Sequence, residues 1–155
     1  MALNVITFDY AEMIRRMEEL ARLFRSQRET GRSKEPAHEI AQACLQETGL
    51  PFSVVQHASP ETLSELLREG VNFYGRALIL AELLSLEAEF NEEDGDRAGT
   101  VRAQLQAFCL FGESLNALAP EEQVASRQKM DVLAARLRNA GDNPYLKQKL
   151  TQFGY

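Results

Sequence analysis

The sequence predicts an all-α protein of about seven helices, and three features of the 155-residue chain support this prediction. Apolar residues recur at steps of three and four, the spacing that places side chains on one face of an α-helix. Residues that cap helices precede several of these apolar stretches, and glycines follow them. No two neighbouring stretches show the alternation expected of paired strands. A chain of this length forms one core, so we expect a single helical domain over residues 1–155.

The stretch 73–118 is predicted to form the central pair of helices. Its first half, 77–90, is apolar around most of its circumference, and a helix without a polar face has to be covered on several sides. The acidic segment 92–96 interrupts the apolar pattern, which resumes beyond it. Two antiparallel helices joined by a tight turn fit this pattern, and Leu80 and Leu84 should be buried on the first of them.

Capping residues place the remaining helices. Asp9, followed three residues later by Glu12, is close to a capping box and opens a helix that ends near Gly31. The helix that follows residue 119 is expected to bury Val124, Met130, Leu133, Ala134 and Leu137. The connector 50–59 is expected to be a buried loop or one helical turn. Four further helices are predicted, each with a proline in its first turn: Pro36, Pro60, Pro120 and Pro144. Ser33, Ser59 and Asn143 precede three of these prolines at the start of the helix.

Composition and charge exclude several classes of function. A content of 45% hydrophobic and 26% charged residues is ordinary for a globular protein and argues against disorder. The first residues lack the basic flank of a signal peptide, and no apolar run approaches the about 20 residues of a membrane span. A formal charge of −6 argues against a nucleic-acid partner. We therefore expect a cytoplasmic protein with neither a membrane nor a nucleic acid as its partner.

Charge is unevenly distributed along the chain. Residues 127–155 contain six basic and two acidic side chains, a net of +4, so the formal −6 of the whole chain leaves −10 on residues 1–126. Seven acidic residues and no basic one lie within 82–96. These acids are expected either to form a solvated helix tip or to face the basic C-terminal segment in a contact that is partly electrostatic.

Catalytic and metal-binding patterns are absent from the sequence. His38 and His57 are too few for a histidine-only zinc site, and His57 is expected in the connector, bonded to a backbone carbonyl. The Gly-x-Ser sequence at Ser114 lacks the second glycine of a nucleophile elbow. Cys44 and Cys109 lie on apolar helical faces, which is typical of buried, reduced thiols. We expect no catalytic residue, no metal and no cofactor, and therefore a protein that is not an enzyme.

An internal repeat appears when the glycines that end helices are aligned. Gly31 is followed twelve residues later by Ala43, and Gly95 is followed twelve residues later by Ala107. Gly141 marks a third, truncated copy. A repeat of this kind indicates helical hairpins that stack on one another.

The glycine and the alanine of each copy resemble those of the tetratricopeptide hairpin, in which a glycine ends the first helix and a small alanine lets the second pack closely. The resemblance covers residues 17–44 and 81–108, with 130–153 as the truncated copy. The Asp-Tyr pair at Asp9, the glycine turns and the Ala-Glu-Leu-Leu motif at 81–84 make the whole chain similar to a family of small bacterial tetratricopeptide-like proteins of uncharacterised function. The resemblance implies antiparallel hairpins in a right-handed superhelix or a compact bundle.

The resemblance also implies a binding surface, because ligands of such proteins lie along the first helix of each hairpin. The positions that it implies are Glu18, Arg25 and Arg28 in the first copy, Glu82, Ser85, Glu89 and Glu92 in the second, and Asp131 and Arg138 in the third. A groove of mixed charge suits a peptide or protein partner. We therefore expect a protein-interaction or scaffold module, with a self-associating structural protein that forms a homodimer as the alternative.

Overall fold

The computed structural model describes residues 9–31 and 36–155, and this part of the chain is all-helical, as predicted. Its eight α-helices exceed the seven expected because residues 52–57, predicted as a loop or single turn, form a short helix. The helices are α1 (Tyr10–Glu29), α2 (Pro36–Thr48), α3 (Phe52–His57), α4 (Pro60–Arg68), α5 (Phe73–Glu93), α6 (Arg97–Ser114), α7 (Pro120–Arg138) and α8 (Pro144–Gln152), with a 3-10 turn at Leu115–Ala117.

Local sequence accounts for most of the helix boundaries. The Asp9 side chain accepts a hydrogen bond from the Glu12 amide at 3.1 Å, and the Ser59 hydroxyl accepts one from the Thr62 amide at 3.1 Å. Each contact satisfies an amide that has no partner inside its own helix. α4, α7 and α8 each begin at a proline, as the sequence predicts. The cap expected at Ser33 lies outside the described residues.

α5 occupies the centre of the structure. Twelve of its 21 residues are buried, and Leu80 and Leu84 are fully buried, as predicted. α6 packs along α5, and α1, α2 and α4 contact it as well. The apolar circumference of this helix is therefore covered by neighbours on several sides, which is the arrangement that its sequence requires.

α5 and α6 form an antiparallel hairpin whose turn depends on Gly95 and Asp96. Gly95 has a φ of +77°, a left-handed conformation that glycine adopts without steric cost. The Asp96 amide donates to the Asn91 carbonyl at 2.8 Å, and the Asp96 carboxylate accepts from the Gly99 amide at 2.9 Å. The turn therefore closes the end of α5 and caps the start of α6 within three residues.

The repeated glycines and alanines occupy corresponding places in the fold. Gly31, after α1, has a φ of +69°, close to that of Gly95, and Gly141, after α7, also has a positive φ. Ala43 on α2 and Ala107 on α6 are both buried. α2 packs against α5, and α6 packs against α7. The second helix of one copy thus contacts the first helix of the next copy in both cases.

Glu87 lies on α5 and is buried rather than solvated. Its carboxylate binds the Arg102 guanidinium of α6 through two hydrogen bonds, at 2.7 and 2.5 Å. Arg102 also donates to Gln106, whose side-chain amide donates to the carbonyls of Val55 and Ala58 at 2.8 and 2.9 Å. The expectation of a solvated acidic tip is therefore wrong for Glu87, which is 4% exposed. A buried carboxylate needs a cationic partner, and Arg102 supplies it. The same network links α3 to the central hairpin.

The start of α7 differs from the sequence prediction. Val124, expected to be buried, is 59% exposed. The buried face of α7 runs through Ser126 and Met130, which are 1% and 0% exposed. Val124 is two residues, or about 200°, away from Ser126 around the helix, so it lies off that face.

Both cysteines are buried and reduced, as predicted. The Cys44 thiol donates to the Leu50 carbonyl at 3.3 Å. Burial raises the pKa of both thiols, that of Cys109 to about 12. The reactive thiolate form is therefore scarce at neutral pH, in addition to being shielded from solvent.

Replacing either Leu80 or Leu84 with Ala should lower the free energy of unfolding by about 2–5 kcal/mol, because each substitution leaves a cavity at a fully buried position. Urea denaturation followed by circular dichroism measures the loss. Leu23→Ala is the matched control, since Leu23 on α1 is 49% exposed and its truncation should change the free energy by less than about 0.5 kcal/mol. A loss as small as that of the control at both central leucines would contradict the central position of α5.

Cys44 and Cys109 should react with a thiol reagent at neutral pH only as fast as the fold opens, because both are buried and both pKa values are raised. The absorbance released by an aromatic disulfide reagent measures the rate, with and without denaturant. Immediate labelling of both thiols in the native protein would contradict their burial.

Candidate binding groove

α1 and α7 form the two walls of an open groove, and α5 lies at its floor. Three cavities of about 740, 290 and 410 Å³ adjoin one another along α7. The first two lie between α1 and α7, whereas the third is lined by α7, α6 and the end of α5 and by no residue of the described part of α1. The first and second cavities share Lys129 and Val132 as lining residues, and the second and third share Gln104 and Arg136. Residues of the α7 side line the groove over 121–140, so it follows the whole length of that helix.

The middle of the groove has an apolar floor. Leu83 and Leu86 of α5 are buried there, together with Leu133 of α7. Leu20 of α1 is half-buried along one wall, and Val132 of α7 is 53% exposed at the edge of the other. Apolar side chains are therefore in contact with water along the groove, which is typical of a surface that another molecule covers.

Ion pairs join the floor to both walls. Arg25 of α1 binds Glu89 of α5 through two hydrogen bonds, Nε to Oε2 at 2.7 Å and Nη2 to Oε1 at 2.8 Å. On the other side, Lys129 of α7 forms an ion pair with Glu82 of α5. The bond to Glu89 raises the pKa of Arg25, and a two-point contact of this type fixes orientation as well as charge. The carboxylates of α5 thus hold both walls in place.

Other charges in the groove have no ion-pair or hydrogen-bond partner within residues 9–31 and 36–155. Glu18 of α1 and Glu121 of α7 lie on opposite walls of the 740 Å³ cavity at one end. Glu92, Arg97 and Arg136 line the 410 Å³ cavity at the other end. These side chains are available to a bound molecule, whereas the paired groups of the middle cavity are not.

Six of the positions that the tetratricopeptide resemblance implies line the groove: Glu18, Arg25, Glu82, Ser85, Glu89 and Glu92. They are contributed by α1 and α5. The Ser85 hydroxyl donates to the Ala81 carbonyl of its own helix at 2.9 Å. Glu18 and Glu92 have no partner among the described residues, whereas three of the other four form the ion pairs between floor and walls.

Arg28, the remaining implied position on α1, lies outside the groove. Its Nε donates to Glu93 at 2.9 Å, and its guanidinium also pairs with Asp94 and stacks over the Phe90 ring at 4.9 Å. Arg28 therefore neutralises the acidic end of α5 rather than facing a ligand. α1 thus supplies two cations to the acidic segment 82–96. The contact with the basic C-terminal segment, one of the two arrangements expected from the sequence, is present at Glu82, which pairs with Lys129.

Arg138 and Asp131 face the C-terminus instead of the groove. Arg138 donates to the Tyr155 carbonyl at 3.1 Å and lies 5.7 Å from the Tyr155 ring centre, and the Tyr155 hydroxyl donates to Asp131. Counting back from Gly141 therefore selects the wrong face of α7. The groove face is Glu121, Ala125, Gln128, Val132 and Arg136. Their steps of three and four were visible in the sequence, but they do not follow from the alignment of the repeats.

A separate cavity of about 550 Å³ lies between α6 and the N-terminal ends of α4 and α8. The Tyr145 hydroxyl donates to Glu61 at 2.7 Å, and the buried Lys149 pairs with the other oxygen of the same carboxylate. The bonds from Lys149 and Tyr145 lower the pKa of Glu61 to about 2, while burial and the bond to Glu61 raise the pKa of Tyr145. These three groups satisfy one another, so their main effect is to link α4 to α8.

The described part of the chain contains no group of potential metal ligands and no helix that could span a membrane. Within it, no three His, Cys, Asp or Glu side chains are grouped so that they could hold a metal ion. No helix of these residues is long and apolar enough to cross a bilayer. His57 Nδ1 lies 2.8 Å from the Ser53 carbonyl oxygen, the type of contact that the sequence predicts, and His38 is exposed.

The Glu61 carboxyl should titrate near pH 2 in the folded protein, well below its ordinary pKa of 4.5. Because folding lowers this pKa, ionised Glu61 stabilises the fold above pH 4.5, and the contribution is lost as the pH falls from 4.5 towards 2. Tyr145→Phe removes one of the two bonds and should move the folded pKa upwards. An NMR titration of the Glu61 carboxyl carbon measures both values. Tyr74→Phe, at a 44% exposed tyrosine on α5, is the control and should leave the titration unchanged; an ordinary Glu61 pKa in the unaltered protein would contradict the contact.

The chain matches no protein-family model, no curated protein and no solved structure. The shape of the groove and the charges that line it supply the basis for a proposal on function.

Proposed function

We propose that the protein is an interaction module that binds a peptide segment of another protein in the groove between α1 and α7, without catalysing a reaction. The observation that carries this proposal is the groove itself, in which the half-buried Leu20 of α1 and the exposed Val132 of α7 leave apolar surface in contact with water between two separated walls. In helical proteins, a groove of this kind commonly takes the apolar side chains of a peptide.

The positions of the helices, glycines and alanines support the proposal. The groove is lined by α1, α5 and α7, each of which is followed by a glycine with positive φ. α2 and α6 carry the two buried alanines and pack against the first helix of the next copy. We infer that the helix pairs α1–α2, α5–α6 and α7–α8 form a short tetratricopeptide-like superhelix. Ligands of such proteins lie along the first helix of each pair, and these are the helices that line the groove.

The shape of the groove favours an elongated ligand. It follows α7, a helix of 19 residues, which corresponds to about 28 Å at 1.5 Å per residue. Sites for small molecules are instead compact and enclose most of the ligand. A peptide that lies along the groove would cover the exposed apolar edge of α7 and reach the charges at both ends.

Val132→Arg should weaken the binding of such a peptide by about tenfold or more, because it places a long charged side chain at the apolar edge of the groove. Peptides are first selected from a random displayed library against the unaltered protein, and their affinities are then measured by fluorescence anisotropy. Val124→Arg is the matched control, since Val124 lies on the same helix, is 59% exposed and lines none of the groove cavities. Failure to select any peptide, or equal binding by both variants, would overturn the proposal.

A second copy of this chain is the alternative occupant of the groove, because an apolar edge is able to pair with itself about a two-fold axis. Sedimentation velocity distinguishes the two occupants. A dimer that Val132→Arg dissociates and Val124→Arg does not would favour self-association. A monomer at all concentrations, with peptide binding sensitive to Val132→Arg, would favour a heterologous partner.

A further inference from the structure

The groove constrains the conformation of its ligand. The described backbone is helical, so its amides and carbonyls are mostly bonded within helices and offer no strand edge to an extended peptide. A ligand that lies on the apolar floor at Leu83 and Leu86 has to satisfy its own backbone groups. Only a helix does this within a single segment. A ligand helix that follows α7 for about 28 Å would contain about 18 residues, or five turns.

The charges of the groove constrain the ligand further, because every charged group that lines the middle cavity, apart from the Arg136 that it shares with the 410 Å³ cavity, belongs to an internal ion pair. The two ion pairs of that cavity, between floor and walls, involve Arg25 and Lys129. The 740 Å³ cavity is lined by three carboxylates, from Glu18, Glu121 and Glu122. Among the described residues its one lining cation is Lys129, which is already paired with Glu82. Glu122 also accepts a hydrogen bond from a backbone amide at 3.0 Å, which leaves its charge in place.

The opposite end has the opposite sign. Arg97 and Arg136 line the 410 Å³ cavity together with one carboxylate, that of Glu92, so the charged side chains that line this cavity sum to +1. Glu121 and Arg136 are 15 residues apart on α7, which corresponds to about 22 Å. This separation exceeds the screening length of about 8 Å at physiological ionic strength, so the two ends act independently on a ligand.

We propose that the groove binds an amphipathic helix of a partner protein whose charges are segregated, with basic residues at the end between Glu18 and Glu121 and acidic residues at the end beside Arg97 and Arg136. The inference rests on the proposed function and adds the chemistry of the partner to it. The apolar stripe of the helix lies on the α5 floor, and its charged ends complement the two ends of the groove.

Two designed peptides of about 18 residues test the charge arrangement. Both contain the same apolar stripe and the same numbers of Lys and Glu. In the first peptide Lys occupies one terminal third and Glu the other, whereas in the second the two alternate along the polar face. The segregated peptide should bind about tenfold more tightly at about 0.1 M salt, and the difference should shrink at about 1 M. A photo-crosslinker at its Lys-rich end should label residues 10–22 or 119–129.

Reversing the two unpaired carboxylates tests the same contact from the protein side. Glu18→Lys combined with Glu121→Lys should weaken the segregated peptide about tenfold and change the alternating one by less than about twofold. The control, Glu29→Lys with Glu65→Lys, makes the same change in net charge at exposed positions outside the groove and should have little effect on either peptide.

The outcomes separate this inference from the proposed function. Equal affinity of the two peptides, with binding still lost in Val132→Arg, would overturn the segregated-charge partner and leave groove binding in place. Labelling at the Arg136 end by the Lys-rich terminus would also overturn it. If neither designed peptide shows binding that Val132→Arg weakens, the inference is overturned as well. The selection from the random library then decides separately whether the groove binds peptides at all.

Discussion

The burial of α5 is the constraint on which the rest of the structure depends. A helix covered on several sides cannot leave a buried carboxylate unpaired, because an isolated charge in a low-dielectric interior is strongly unfavourable. Each of three carboxylates of α5 therefore has a cation from a different neighbouring helix. Glu82 pairs with α7, Glu87 with α6 and Glu89 with α1. The hydrophobic burial of α5 brings these helices close, and the ion pairs fix where along it they lie.

The same pairs explain why a groove remains open. Arg25 and Lys129 reach α5 from opposite sides, and their helices are thereby held beside the floor instead of packing on one another. Apolar side chains at the edges of the groove, Leu20 and Val132, stay in contact with water, and a bound molecule could cover them. The paired groups are poor candidates for ligand recognition, since a ligand would first have to break an internal contact. Under the proposed function, recognition would therefore rest on charges such as Glu121 and Arg136, which have no ion-pair partner among the described residues.

The packing of Phe153 and Tyr155 determines which face of α7 remains to line the groove. Phe153 and Tyr155 pack edge-on against Phe108, at centroid distances of 5.6 and 5.5 Å. A side chain at Gly112 would prevent this packing, because its Cβ would lie 2.4 Å from a Phe153 ring carbon. Tyr155 is thereby placed beside Arg138, which bonds to its carbonyl. Tyr155 thus covers the face of α7 that carries Asp131 and Arg138. A different face of α7 lines the groove.

The sequence by itself determined the features that depend on residues close together in the chain, namely helix ends, turns and the buried face of a helix. Caps such as Asp9, the left-handed turn at Gly95 and the burial of Leu80 all follow from contacts or periodicity within a few residues. Tertiary structure alone decided which charges are paired and which are free. Lys129 and Arg138 are both cations on the same helix, yet one joins the groove and the other binds the C-terminus. That difference depends on which neighbours surround each face of α7. Packing between residues distant in the chain decides those neighbours, and the periodicity of α7 alone does not identify them.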